Sequence, residues 1–102
     1  MPAVTRDIAL VVRQDVGVQD LVDAFEKAAA GMPWQRYLQG VVLFDEFRPK
    51  AATAAIGAQE KSLAFRITLQ DTDSTLQDDL VEAATQQLIR AAGDAFGARL
   101  RA

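Results

Sequence analysis

The sequence predicts an α+β fold in which two helices cover one face of a four-stranded antiparallel sheet. Two segments carry apolar residues at helical spacing, three others have the apolar density or alternation of strands, and a short last strand follows the second helix. The 102 residues are 50% apolar and 25% charged, which suits a single domain over residues 1–102 with a filled core.

The first half of the chain predicts a strand, a helix and a second strand. Residues 6–12 form a compact apolar run rich in β-branched side chains, as strands do. Over residues 18–29 apolar side chains recur every three or four positions with acids opposite them, which predicts an amphipathic helix. Gly31 and Pro33 end that helix, because glycine suits the position after the C-cap and proline cannot continue a helix. The next apolar stretch, residues 38–47, predicts the second strand.

The second half predicts a loop, a strand, a helix and a short last strand. Residues 50–60 are alanine-rich without a clear period and are interpreted as a loop, whereas residues 61–69 alternate cleanly between apolar and polar side chains. Thr75 followed by Asp78 matches a capping box that opens the second helix, and residues 98–101 remain for the last strand. The apolar stripe of the second helix consists of Leu76, Leu80, Ala84, Leu88 and Ala91.

The order strand, helix, strand, strand, helix, strand is the split β-α-β order of ferredoxin-like two-layer sandwiches. The apolar stripes of both helices need to be buried, and one face of the sheet can bury them. The opposite face of the sheet, called here the open face, is then left exposed to solvent. Counting alternate positions predicts the side chains of the open face as Asp7, Ala9, Val11, Asp45, Phe47, Ser62, Ala64 and Arg66. A one-residue bulge would exchange the two faces beyond it.

The residue types that are missing exclude much catalytic chemistry. The chain contains no Cys, His or Asn, so it offers no thiolate nucleophile, no imidazole base and none of the usual zinc sites. Adjacent acids such as Asp78 and Asp79 fall at the start of a helix, where carboxylates favour the positive end of the helix dipole. We therefore expect no catalytic site, no metal and no cofactor in this domain.

No segment of the sequence predicts membrane insertion or secretion. The longest apolar runs, residues 8–12 and 41–44, are far too short to cross a bilayer. The first residues lack the basic stretch, apolar core and small-residue cleavage site of a secretory signal. A soluble protein in the cytoplasm, without a membrane partner, is the expectation.

Five short blocks are spread over nearly the whole chain. They are residues 6–12 (RDIALVV), 43–47 (LFDEF), 61–66 (KSLAFR), 75–76 (TL) and 96–101 (FGARLR). In this order they resemble the ferredoxin-fold anticodon-binding family. The resemblance implies a domain at the C-terminal end of the beta subunit of a bacterial phenylalanyl-tRNA synthetase, which embraces the anticodon stem-loop of tRNA(Phe).

The resemblance also implies that the chemistry of such an enzyme takes place elsewhere. In the family's α2β2 heterotetramer the alpha subunit binds ATP, magnesium and phenylalanine, and editing belongs to another domain of the beta subunit. The enzyme attaches phenylalanine to its tRNA, whereas the domain itself is expected to bind RNA without an active site or a cofactor of its own.

The family's pattern nominates the RNA-binding residues. Ser62 and Ala9 match positions that line the pocket for an anticodon base, and Asp45 and Phe47 match a Phe-Asp-x-Tyr block in which Phe replaces the Tyr. Phe47 retains base stacking, which tolerates any aromatic ring, and loses only the hydroxyl. The basic candidates for contact with phosphates are Arg48, Lys61 and Arg66, with Lys50 beside them.

Several alternatives stay open at this stage. A formal charge of -3 is unusual for an RNA-binding domain, so the basic side chains near the second and third strands must be separated from the acidic helices. Phe47 packs into the core if the strand parity slips, and Trp34 beside Pro33 is interpreted as a loop anchor. A different class is a non-catalytic ferredoxin-like regulatory or dimerisation module, with the open face as its interface. An acylphosphatase-like enzyme needs an Asn that the chain lacks.

Overall fold

The predicted order of elements is confirmed in the computed structural model, which describes residues 2–101. The elements are β1 (Val4–Arg13), α1 (Val18–Ala29), a 3-10 turn (Gln35–Tyr37), β2 (Leu38–Phe47), β3 (Glu60–Leu69), α2 (Asp78–Phe96) and β4 (Arg99–Leu100). The first strand is longer than predicted, and the last strand is shorter. The end residues of the predicted domain, 1 and 102, lie outside the described part of the chain.

The four strands form one antiparallel sheet in the order β2-β3-β1-β4. β1 pairs with β3 along its whole length, from Val4 opposite Leu69 to Arg13 opposite Glu60, and β4 pairs with the other edge of β1. Each helix therefore connects two strands that are not neighbours, and the two helices pack against each other beside the sheet. The predicted ferredoxin-like two-layer sandwich is confirmed.

The core lies between the sheet and the two helices. Phe25 of α1 and Phe65 of β3 meet there with ring centroids 5.2 Å apart and planes at 85°, an edge-to-face contact. Residues that are fully buried with them are Leu10, Leu21, Leu63, Ile67, Leu69, Ala84, Leu88 and Ala92. Because these side chains fill the helix-facing side of the sheet, the other side is the surface on which a partner can be held.

The start of α2 differs from the prediction. The helix begins at Asp78 with Gln77 as its N-cap, no side chain caps it, and Thr75 is exposed, so the predicted capping box is wrong. The buried stripe of the helix is Val81, Ala84, Thr85, Leu88 and Ala92, which shares only two members with the predicted stripe. Leu80 and Ala91 are half-buried at its margin, so the helix is rotated slightly from the predicted orientation.

The connection from α1 to β2 is anchored by Trp34. Its side chain is 3% exposed, and its indole N–H donates a hydrogen bond to the side-chain oxygen of Gln87 on α2 at 3.2 Å. Gly31 has a φ of 78°, a left-handed conformation that lets the chain turn after α1. The interpretation of Trp34 as a loop anchor is confirmed, and its ring is not accessible for stacking.

Candidate nucleic-acid interface

Three rows of side chains cross the open face, because paired strands place partner residues side by side. From β2 across β3 to β1 the rows are Val42, Arg66 and Asp7, then Asp45, Ala64 and Ala9, then Phe47, Ser62 and Val11. The side chains of Ala9, Ala64 and Ser62 are small, and the strip of the open face that they form is called here the trough. The predicted placement of Asp45 and Phe47 on the open face is confirmed by their pairing with Ala64 and Ser62.

A bulge in β2 adds a second aromatic ring to this face. Leu43 pairs with Phe65 and Asp45 pairs with Ala64, so Phe44 is the extra residue between them. The Phe44 ring is 49% exposed and lies 4.8 Å from the guanidinium carbon of Arg66, which belongs to the open face. Strict alternation assigns Phe44 to the opposite face, so sequence reasoning missed this residue.

Arg66 is held in a fixed orientation on the open face. Its Nε and Nη2 donate hydrogen bonds to the two carboxylate oxygens of Asp7 at 2.9 and 3.0 Å. The hydrogen bond from Arg66 lowers the pKa of Asp7, and the same pairing raises the pKa of Arg66. Because its charge is matched, Arg66 is better suited to support the Phe44 ring than to neutralise a phosphate.

Phe47 is the aromatic side chain that borders the trough on β2. It is 41% exposed, and the guanidinium carbon of Arg101 lies 5.2 Å from the centroid of its ring. The backbone N–H of Arg101 donates to the carbonyl oxygen of Ala9 at 2.9 Å, which continues the pairing of β4 with β1. The contact between Arg101 and Phe47 joins residues 54 positions apart, and no pattern in the sequence predicts it.

Part of the open face is covered by the segment between β2 and β3, residues 48–59. Ser62 and Val11 point toward this face, yet they are only 3% and 0% exposed. Ile56, within the segment, is 1% exposed although it belongs to no regular element. The predicted loop over residues 50–60 is confirmed, although the loop begins at Arg48 and Glu60 already belongs to β3. The sequence did not predict that this loop folds back over the third row of the sheet.

An ion pair between two strands holds this segment in place. Arg99 donates to both carboxylate oxygens of Glu60, at 2.6 and 2.8 Å, and also to the carbonyl oxygen of Ala55 at 3.0 Å. The same carboxylate accepts the backbone N–H of Gly57 at 2.7 Å. The hydrogen bond from Arg99, followed by that from Gly57, lowers the pKa of Glu60 to about 2.

Lys61 does not belong to the candidate surface. The side chain is 3% exposed, and Lys61 has the same strand parity as Leu63, which faces the helices. The prediction that Lys61 reaches RNA is therefore corrected: on β3 only even-numbered residues point to the open face. The alternation from residue 61 to residue 69 already carried this signal.

The two remaining charged candidates are exposed and differ in their surroundings. Arg48 is exposed, and its Nε donates to a carboxylate oxygen of Glu46 at 3.0 Å. Asp45 is exposed, and within residues 2–101 its carboxylate makes no hydrogen bond or ion pair. Asp45 is thus an acceptor that a ligand in the trough can use, whereas the charge of Arg48 is already partly matched.

The helical side of the molecule is unsuited to a polyanion. The acids Asp20, Asp23, Glu26, Asp78, Asp79 and Glu82 are all exposed there. Two grooves of about 510 and 620 Å³ run along α2, and among the described residues no aromatic side chain lines either of them. Within residues 2–101 no acidic cluster is arranged to hold a metal ion, and no helix is long and apolar enough to cross a membrane.

Comparison with known proteins decides the family. The model of the ferredoxin-fold anticodon binding domain matches residues 1–101. The chain belongs to the ferredoxin-fold anticodon-binding family. The resemblance seen in the five sequence blocks is thereby confirmed.

Curated proteins similar to this family member are beta subunits of phenylalanine–tRNA ligase. The protein of Ralstonia nicotianae is 99% identical over 102 residues, that of Cupriavidus pinatubonensis 59% over 100 residues, and that of Dechloromonas aromatica 44% over 101 residues. These matches cover 98% or more of the chain, but the chain spans only 12 to 13% of the length of these relatives.

Proposed function

We propose that the open face holds the anticodon loop of a tRNA, with bases stacked against Phe47. The observation that carries the proposal is the pair of solvent-exposed rings, Phe44 and Phe47, beside a trough of small side chains. Exposed rings on a sheet are sites on which unpaired bases stack, and RNA loops present such bases. Seven of the fourteen acids lie on the two helices, which disfavours RNA binding on the helical side.

In this arrangement each residue contributes through its own chemistry. Phe47 offers its ring to one base, at ~1 to 3 kcal/mol per stacked base. The small side chains of Ala9 and Ala64 leave room for that base to approach the sheet, and the Asp45 carboxylate can accept hydrogen bonds from a base amino group. The Ser62 hydroxyl, at the buried edge of the trough, is a second group for the base edge.

We infer that the chain forms the C-terminal domain of the beta subunit of a phenylalanine–tRNA ligase. The names of its relatives support this role, in which the whole enzyme attaches phenylalanine to tRNA(Phe) with ATP and magnesium. The partners would then be tRNA(Phe) and the alpha subunit in an α2β2 assembly in the cytoplasm. The domain contributes tRNA binding, and the alpha subunit contributes the chemistry.

The test is to compare two RNA hairpins that differ only in the bases of the loop. One carries the anticodon loop of tRNA(Phe), and the other has the same backbone with the three anticodon positions made abasic. The proposal predicts weaker binding of the abasic hairpin by ~1 to 3 kcal/mol for each stacked base that is lost. Equal binding of the two hairpins would mean that the face recognises only the RNA backbone, and the proposal would fail.

Dimerisation through β2 is the second candidate function, favoured by three apolar side chains on an edge strand. Val42, Phe44 and Phe47 are 63%, 49% and 41% exposed. The same strand carries Asp45 and Glu46, and charged side chains on an edge discourage pairing with another strand. A stable dimer by mass measurement, with no affinity for the hairpin, would support this alternative over RNA binding.

A further inference from the structure

The Arg101 side chain reaches across the sheet to Phe47. Its backbone donates to Ala9 from the β4 side of β1, and Phe47 lies on β2, so β1 and β3 lie between the two residues. Three strand spacings amount to about 14 Å. Since the guanidinium carbon is 5.2 Å from the Phe47 ring, the side chain has to pass over β1 and β3, where Ala9, Ala64 and Ser62 lie. Arg101 therefore lies over the trough.

Unlike the neighbouring arginines, Arg101 has no carboxylate partner within residues 2–101. Arg66 is bound by Asp7 and Arg99 by Glu60, through two hydrogen bonds each. The guanidinium of Arg101 is retained by its contact with the ring and by the backbone bond of its own residue. Of these three arginines, Arg101 therefore loses the fewest polar contacts when its side chain moves away from the face.

A base and the Arg101 guanidinium cannot stack on the same side of the Phe47 ring. A stacked base lies about 3.5 Å from a ring, and a sandwich of ring, base and guanidinium needs about 7 Å. The guanidinium carbon is 5.2 Å from the ring centroid, so the space is filled. Any base that enters the trough has to displace it.

We propose that Arg101 is a displaceable cover of the Phe47 ring, which yields the ring to a base and moves to a phosphate of the same RNA loop. This inference rests on the proposed stacking function of Phe47. Arg101 is thus a positioning residue with two partners: the ring in the free domain, and the RNA backbone in the complex. After the exchange the positive charge of Arg101 remains close to the base that has taken its place on the Phe47 ring.

The relative strengths of the contacts favour the exchange. A guanidinium over an exposed ring contributes roughly a two- to five-fold factor to an equilibrium constant, whereas a base stacked on a ring contributes roughly five- to 150-fold. The released guanidinium also gains a phosphate, the ligand geometry that arginine fits best. A base should therefore displace the Arg101 guanidinium from the Phe47 ring.

The test uses the 102-residue chain with two probes, adenosine and the anticodon hairpin. Adenosine has a ring to stack but no phosphate, so Arg101→Ala should raise its affinity roughly two- to five-fold by removing the competitor. For the hairpin, the same substitution should reduce the slope of log affinity against log salt by about 0.7, the loss of one phosphate contact. Both changes are measured by NMR titration.

The matched control is Arg36→Ala. Arg36 also lies 5.2 Å from an aromatic centroid, that of Tyr37, but on the 3-10 turn outside the trough. This variant should leave both probes unchanged. An adenosine affinity that stays the same or falls in Arg101→Ala would overturn the proposal, because the side chain would then not compete with a base.

A second measurement follows Arg101 itself. In the free chain its side-chain protons should be shifted upfield by the Phe47 ring, and the shift should vanish in Phe47→Leu and on saturation with the hairpin. If the upfield shift persisted in the complex, Arg101 would still lie on the Phe47 ring, and the proposal would be wrong. If Phe47→Leu leaves hairpin binding unchanged, base stacking on Phe47 is wrong, and the role of Arg101 that rests on it is wrong too. If Phe47→Leu weakens binding but the upfield shift persists in the complex, only the role of Arg101 is wrong.

Discussion

Arg99 on β4 and Glu60 on β3 form an ion pair with two hydrogen bonds, at 2.6 and 2.8 Å, across the intervening strand β1. The pair lies above Val11, the residue of β1 that is opposite Arg99, and it binds segment 48–59 through Ala55 and Gly57. One exposed ion pair is worth little by itself. Here it closes a network of four hydrogen bonds that holds the segment over one end of the trough.

The first prediction is that this network loses its effect in acid. The pKa of Glu60 is lowered from 4.5 to about 2 in the folded state, so its contribution to stability is full above pH 4.5 and is lost as the pH falls toward 2. Thermal unfolding followed from pH 6 to pH 2 should show a steeper loss of stability for the native chain than for Glu60→Gln. The control Asp94→Asn should follow the native curve, and parallel curves for Glu60→Gln would contradict the network.

The second prediction compares the buried Phe65 with the half-exposed Phe44. Phe65→Ala removes a fully buried ring that packs on Phe25 and should cost ~3 to 5 kcal/mol in urea unfolding. Phe44→Ala removes a half-exposed ring whose contact with Arg66 is worth at most about 1 kcal/mol. Similar costs for the two substitutions would mean that Phe44 belongs to the core.

The third prediction concerns the salt dependence of hairpin binding. Of the cations near the trough, Arg48, Arg66 and Arg99 are paired with acids, whereas Lys50 and Arg101 have no acidic partner within residues 2–101. With about 0.7 per phosphate contact, two contacts give a slope of log affinity against log salt near -1.4. A slope near zero would remove the electrostatic part of the account.

The fourth prediction tests the exclusion of Lys61 from the surface. Lys61→Met and Lys50→Met remove the same charge, one from a buried side chain and one from an exposed one. Lys50→Met should lower the salt slope by about 0.7, whereas Lys61→Met should leave it unchanged. An equal decrease of the salt slope in the two variants would mean that Lys61 also contacts the RNA.

Strand parity could be predicted from the sequence because alternation is a local property. Residues 61–69 alternate without interruption, and this alone placed Ser62, Ala64 and Arg66 on the open face. The same rule places Lys61 on the helix-facing side, but its charge led us to predict it as an RNA contact. The fold order followed from the same local patterns, with errors confined to element ends and to the start of α2.

The rest of the surface depends on contacts between distant residues, which local patterns do not carry. The bulge that exposes Phe44 arises from the pairing of β2 with β3 and not from a residue type in β2. The cover formed by segment 48–59 depends on Arg99, which is 39 positions from Glu60. Arg101 reaches Phe47 only because β4 lies beside β1.

The most direct test of the central claim is the affinity of the anticodon hairpin for four variants at Phe47. Ala removes the ring, Leu keeps apolar volume without it, and Tyr and Trp keep an aromatic face. We expect that Phe47→Ala and Phe47→Leu lose ~1 to 3 kcal/mol of binding while remaining folded, and that Phe47→Tyr and Phe47→Trp bind at least as well as the native chain. Native affinity in a folded Phe47→Leu variant would contradict base stacking at this position.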